Sequence, residues 1–275
     1  MNWKKKLATY ASLTVLATFI IHIINKLIYF MSTIDNLLGR KEGLYYEWRF
    51  GKIFYTKEGT GKPILLIHDL SACSSEYEWN RIVSDLSKKN TVYTLDLLGC
   101  GKSDKPNFTY TNFLYVQLVT DFINNVIGEK ADVIVTGNSC SFVLMACHNN
   151  DEIIDRILLI NPPSISSISK VPTKRTKMLK FIINIPFIGT LLFNLLHSKD
   201  SIEQTFMTEY FYNPQFVDDE IVKTYCESAQ ISKTQSKYLF ASIKGKYTTA
   251  NITECLTHID LSLIHISEPT RPISI

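Results

Sequence analysis

The sequence predicts an α/β fold, a mostly parallel central sheet with helices on both faces. Three observations predict it. Aliphatic and β-branched runs at 63–67, 91–95, 132–135 and 156–160 read as buried strands, because their apolar positions are nearly continuous rather than alternating. Between them lie segments with apolar residues at helical spacing, so strand and helix alternate along the chain. The 275 residues are 45% hydrophobic and 20% charged, which supports a sizeable core and argues against global disorder. With 29 basic and 26 acidic residues the net charge is +3, too balanced to favour nucleic acid as a partner. The six cysteines form no CxxC pair, so they read as free thiols, and neither a metal nor a cofactor is expected.

Residues 1–31 stand apart. Lys4, Lys5 and Lys6 precede an apolar run over 7–24, and Asn25 and Lys26 follow it. A membrane span needs roughly 20 apolar residues. The basic cluster favours a cytoplasmic amino terminus with the remaining domain extracytoplasmic. No small-x-small cleavage site follows the run, so a single-pass anchor is expected rather than a signal peptide. A buried or interfacial helix is the other reading.

The main domain is expected over 44–260. Tyr45, Tyr46, Trp48 and Phe50 on one side of Gly51, with Ile53, Phe54 and Tyr55 on the other, predict a hairpin. The strand at 63–67 runs into His68 and Asp69. Trp79, Ile82, Val83 and Leu86 place one helix over 78–87. The strand at 91–95 ends in Asp96, then a turn with Gly99, Gly101 and Ser103. Leu114, Leu118, Phe122 and Val126 mark a helix over 113–127. The strand starting at Asp132 stops at Gly137, Asn138, Ser139, Cys140 and Ser141, and Phe142, Met145 and Ala146 open a further helix. Taken alone, this last segment is also readable as an ordinary strand, turn and helix with a capping serine.

The order of these motifs resembles the α/β-hydrolase family: a strand then His68-Asp69, a strand then Asp96-x-x-Gly99-x-Gly101-x-Ser103, a strand then Gly137-x-Ser139-x-Ser141. The likeness covers roughly 44–165 well and the segment after it more loosely. It implies an α/β-hydrolase fold with a helical lid insert, and it departs from the family pattern at Asp69 and Ser141, where glycine is usual. A serine hydroxyl needs activation and a place for the oxyanion. The resemblance makes Ser139, at the apex of a tight bend, the candidate nucleophile. It makes the backbone amides of Leu70 and Cys140 the oxyanion donors. His68 braces a loop in this reading, and Asp96 belongs to a structural turn.

Residues 161–240 resemble the family's lid. Lys170, Lys174, Arg175, Lys177 and Lys180 precede an apolar stretch over 181–196 broken by Pro186. The stretch reads as a greasy inner face over a small apolar acyl substrate, as a surface resting on the membrane, or as a helix packed with a solvated basic side. Tyr210, Phe211 and Tyr212 are candidate pocket residues or packing residues. The triad's acid and histidine should follow the lid. However, residues 261–271 resemble the translation of a sequencing-library adapter, all eleven agreeing in one frame. Residues 261–275 are therefore expected to be foreign, the C-terminal strands incomplete, and the acid and histidine absent from the chain. His265 and His258 are not expected to serve as the base.

Two functions follow from this reading. The first is a membrane-anchored serine hydrolase acting on an ester, amide or related carbonyl compound, inactive here for want of its base. The alternative is a non-catalytic binding or scaffold protein on the same fold. A weaker option is an acyltransferase.

Overall fold

The computed structural model describes residues 3–210, 213–258 and 262–266. Seven strands form one sheet: β1 (Leu44–Trp48), β2 (Gly51–Glu58), β3 (Lys62–Ile67), β4 (Asn90–Leu95), β5 (Ala131–Thr136), β6 (Ile154–Ile160) and β7 (Ser262–Ile266), in the spatial order β1-β2-β4-β3-β5-β6-β7. The β1–β2 and β2–β4 pairs are antiparallel and all others parallel. β3 lies between β4 and β5, so the chain winds to one side of β3 and then to the other. The loops after β3 and β5 diverge there, which is where open α/β sheets leave a crevice at the carboxyl ends of their strands.

The helices are α1 (Trp3–Thr33), α2 (Val83–Leu86), α3 (Asn112–Phe122), α4 (Cys140–Asn149), α5 (Ile165–Ile168), α6 (Lys174–Asn184), α7 (Ile188–Leu196), α8 (Lys199–Thr205), α9 (Asp219–Gln230), α10 (Lys237–Lys244) and α11 (Thr253–His258). On one sheet face α3 and α4 bury Leu118, Phe122, Phe142 and Val143 against Leu65, Val133 and Val135. On the other, Trp79 and Val83 cover Ile64, Leu66 and Val92. Coverage on both faces explains why the inner strands carry apolar residues at successive positions. The helical insertion between β6 and β7 begins at α5 and closes over the carboxyl ends of the strands.

Two expectations are corrected. The single helix over 78–87 is a 3-10 turn, Glu76–Trp79, followed by the short α2. The Glu78 side chain accepts the Asp69 backbone N–H and the Thr136 hydroxyl, which fixes this segment to the neighbouring loops rather than to a longer helix. The helix expected over 113–127 is present, as α3 continued by a π-helical turn, Ile123–Ile127, that ends at Gly128 with φ 78°. The sheet, expected to stop short at its C-terminal strands, continues past β6: β7 pairs in parallel along it, from Arg156 opposite Ser262 to Ile160 opposite Ile266.

α1 is the one described helix long and apolar enough to cross a membrane. At 1.5 Å per residue its 31 residues extend about 46 Å, and none of them is buried. Its last turns nevertheless touch the insertion: Asn194 Nδ2 donates to Asn25 Oδ1 at 2.9 Å, and Asn25 Nδ2 donates to the Phe187 carbonyl at 3.1 Å.

Candidate functional site

The site is built where β3 and β5 end. His68 is fully buried beneath it. Its Nε2 accepts the Leu97 N–H at 3.1 Å, so Nδ1 carries the proton and donates to the Asp69 carbonyl at 2.7 Å. Burial drives its pKa down to about 4, and the neutral ring ties the β3 and β4 loops together. The β4 loop is held by Asp96, whose carboxylate accepts the N–H groups of Glu76 at 2.6 Å and Lys102 at 2.7 Å. Asp96 has no contact with the cavity; it is a clasp within its own turn.

The bend after β5 falls at Gly137, not at the expected Ser139. Gly137 has φ 54°, a left-handed conformation open to glycine at little cost, whereas Ser139 is helical at φ −67° and ψ −21°. A side chain at 137 would also collide with Asp69, since a Cβ there would lie 2.3 Å from Asp69 Oδ1. Turning two residues early draws Ser139 below the surface. It is 0% exposed, and its hydroxyl donates to the His68 carbonyl at 2.6 Å. Ser141, where the family pattern has glycine, accepts from Asn112 Nδ2 at 2.9 Å and donates to the Asn138 carbonyl at 3.1 Å, pinning the first turn of α4 to α3.

Of the expected oxyanion donors, the Cys140 N–H closes a turn onto the Gly137 carbonyl, and Leu70 lines the cavity wall. The Asp69 carboxylate accepts the Asn138 N–H at 2.6 Å and Asn138 Nδ2 at 3.1 Å. Asp69 thus fills an anion-binding nest between the two loops with its own negative charge. The structure brings Leu70, Ser139 and Cys140 into one corner, with Leu70 on the cavity wall and the Ser139 hydroxyl turned to the His68 carbonyl. No described acid or imidazole is hydrogen-bonded to Ser139.

Above Gly137 and Asp69 lies a cavity of about 890 Å³. Its floor carries Asp69, Glu78, Thr136 and Asn138, and its walls are Leu70, Cys73 and the insertion residues Phe206, Tyr210, Tyr225 and Phe240. Tyr210 lines it as anticipated, whereas Phe211 and Tyr212 lie outside the described residues. Burial, followed by the charge of Asp69, raises the Glu78 carboxyl to about 7. Asp69 is also raised by burial, with the Asn138 hydrogen bonds pulling the other way. His197 lines the wall too. Its Nδ1 donates to the Phe193 carbonyl at 2.9 Å, its ring lies 4.1 Å from that of Phe193, and burial lowers it to about 4. Glu78 and His197 are site residues that sequence reasoning missed. Glu78 follows the His68-Asp69 motif closely enough to have been a signal, whereas nothing marks His197 within its apolar stretch. Among the described residues no group of three or more His, Cys, Asp or Glu could hold a metal ion.

A sequence profile described as the alpha/beta hydrolase family matches residues 64–256. A 2-hydroxy-6-oxo-6-(2'-aminophenyl)hexa-2,4-dienoic acid hydrolase of Metapseudomonas resinovorans is 34% identical over 86 residues, 31% of this chain and 29% of that protein. A soluble epoxide hydrolase of a Corynebacterium species is 25% identical over 110 residues, 40% and 38% of the two chains. The chain thus spans well under half the length of these curated relatives. A meta-cleavage product hydrolase from Pseudomonas fluorescens superposes with TM-score 0.63 at 18% identity, covering 82% of this chain and 79% of that one. At that identity the superposition speaks for the fold alone.

Proposed function

Because the chain belongs to the alpha/beta hydrolase family, we propose that it takes a small carbonyl compound with an apolar acyl group into the cavity above Gly137, and that in this conformation it holds that compound without cleaving it. One observation carries the reading: the Asp69 carboxylate occupies the backbone and side-chain amides of Asn138 while the Ser139 hydroxyl is turned to the His68 carbonyl beneath. A developing oxyanion would meet a negative charge there instead of two free donors. The apolar walls suit a hydrocarbon group. Glu78, protonated below about pH 7, has an O–H to donate to a ligand carbonyl, so binding weakens as pH rises past that value.

The second reading is a working serine hydrolase with Ser139 as nucleophile. The Gly137-x-Ser139 motif and the hydrolases among its relatives favour it. It requires the bend to move from Gly137 to Ser139 and Asp69 to leave the nest. Without an acid and base, a serine enzyme retains only about 10³–10⁴-fold over water. A fluorophosphonate probe separates the two. Purified chain that binds a medium-chain methyl ketone but resists labelling supports the holding function; labelling lost in Ser139→Ala, with turnover of a nitrophenyl ester, overturns it.

The helical insertion serves as the lid of this cavity, and α1 as a single-pass anchor with the domain on the extracytoplasmic side. The three lysines before α1 and its exposed apolar surface support that orientation. Protease protection in sealed vesicles tests it. The eleven-residue adapter match supports a foreign origin for residues 261–275 even though 262–266 pair as β7, and the genomic reading frame past codon 260 decides that point.

A further inference from the structure

A second cavity, about 770 Å³, lies between the carboxyl half of α1, the α6–α7 bend and the turn before α10. One face of α1 contributes Ile23, Lys26, Leu27 and Phe30, and the turn before α10 with the start of that helix contributes Lys233 and Lys237. None of the three lysines forms an ion pair among the described residues. Lys237 is only 7% exposed, and its ammonium group donates to the Thr190 hydroxyl at 2.9 Å, a neutral partner for a buried charge. Burying a cation without a counter-charge is unfavourable, so an anion arriving at this spot is drawn in.

The backbone around the cavity is strained where it lines it. Phe187 has φ 62°, Lys233 56° and Thr234 65°, all left-handed conformations in residues with a Cβ, and all three residues face this cavity. Such strain persists only where surrounding structure over-determines it, and it collects at binding sites. Here it points Lys233 and the Phe187 ring toward the same space.

We propose that this cavity binds an anionic phospholipid of the bilayer that holds α1, with the headgroup phosphate against Lys26, Lys233 and Lys237 and an acyl chain along Ile23, Leu27 and Phe30. The proposal rests on the reading of α1 as an anchor. Charge and shape select the occupant. Three uncompensated lysines require an anion, the adjoining hydrocarbon requires a chain, and the apolar helix that forms one wall would deliver the lipid laterally. The exposed apolar residues Phe181 and Ile188 on α6 and α7 extend the same surface outward. The site is separate from the cavity above Gly137 and shares no lining residue with it.

Native mass spectrometry of the full chain, released from mixed micelles of phosphatidylglycerol and phosphatidylcholine, tests the assignment. Each lysine near a lipid phosphate is worth about a factor of five, so phosphatidylglycerol should be retained at least about tenfold over phosphatidylcholine. Lys26→Ala with Lys233→Ala, both at exposed positions, should bring the preference to within about threefold. Equal retention of the two lipids by the unmodified chain overturns the proposal. So does an unchanged preference in the double variant, or retention of oleate without phosphatidylglycerol. Alkaline carbonate extraction of membranes from expressing cells judges the anchor independently. A chain that washes off refutes the anchor, while the micelle preference still judges the cavity.

Discussion

Two carboxyl pairs lie on neighbouring loops, and their surroundings differ: Asp96 and Glu76 are buried, whereas Asp69 and Glu78 are half-buried. Asp96 and Glu76 sit under the β4 loop. Asp96 satisfies two backbone amides, and Lys41 lies 3.5 Å from Glu76. Asp69 and Glu78 sit under the larger cavity. They too accept backbone amides, those of Asn138 and Asp69, but no lysine or arginine pairs with either among the described residues. Burial raises Asp96 and Glu78 alike, each to about 7. The cost of burial is therefore not what distinguishes them. A carboxyl enclosed by amides and a cation is a clasp, whereas one facing empty space keeps hydrogen-bonding capacity for something else.

The largest effect should come from breaking the clasp. Asp96→Ala strands two buried N–H groups at roughly 1–3 kcal/mol each, so urea unfolding should show a loss of about 3 kcal/mol or more. A loss below about 1 kcal/mol would erase the contrast. Next is Gly137→Ala, which forces a Cβ into Asp69 at a left-handed φ. It should cost about 2 kcal/mol and weaken ketone binding, because Asp69 must move. Ser139→Ala removes one buried hydrogen bond, about 1 kcal/mol, and should leave ketone affinity unchanged. The smallest effect is a displaced pH dependence. Glu78 and Asp96 hold protons in the folded chain that the unfolded chain releases, so stability falls as pH rises from their ordinary range toward about 7 and levels off above it. Asp69→Asn removes the charge that helps raise Glu78, so Glu78's share of that fall should move to lower pH while the Asp96 share stays. Thermal melts across the range measure it.

The central sheet was legible because helices cover both faces, so β3 to β6 each carry a run of successive apolar residues. The motif order placed the loops correctly as well. The bend was less legible. A Gly-x-Ser-x-Ser string does not say which residue takes the left-handed turn, and that depends on Asp69, sixty-eight positions before Gly137, reaching across to the Asn138 amide. The family likeness pointed to Ser139, whereas the left-handed φ falls at Gly137. The helix expected at 78–87 failed for a related reason: the Glu78 side chain is committed to Asp69 and Thr136, contacts that sequence periodicity does not encode. The second cavity was invisible because it needs α1, the α6–α7 bend and the turn at Lys233 in one place.

Of the six cysteines, five are buried and Cys73 alone is half-exposed, on the wall of the larger cavity. Burial pushes its thiol up to about 11, so little thiolate exists at neutral pH and alkylation is slow. That slowness makes it a built-in clock. The rate at which a small maleimide consumes this one thiol reads whether the chamber is empty or filled, with no label added and no other residue changed.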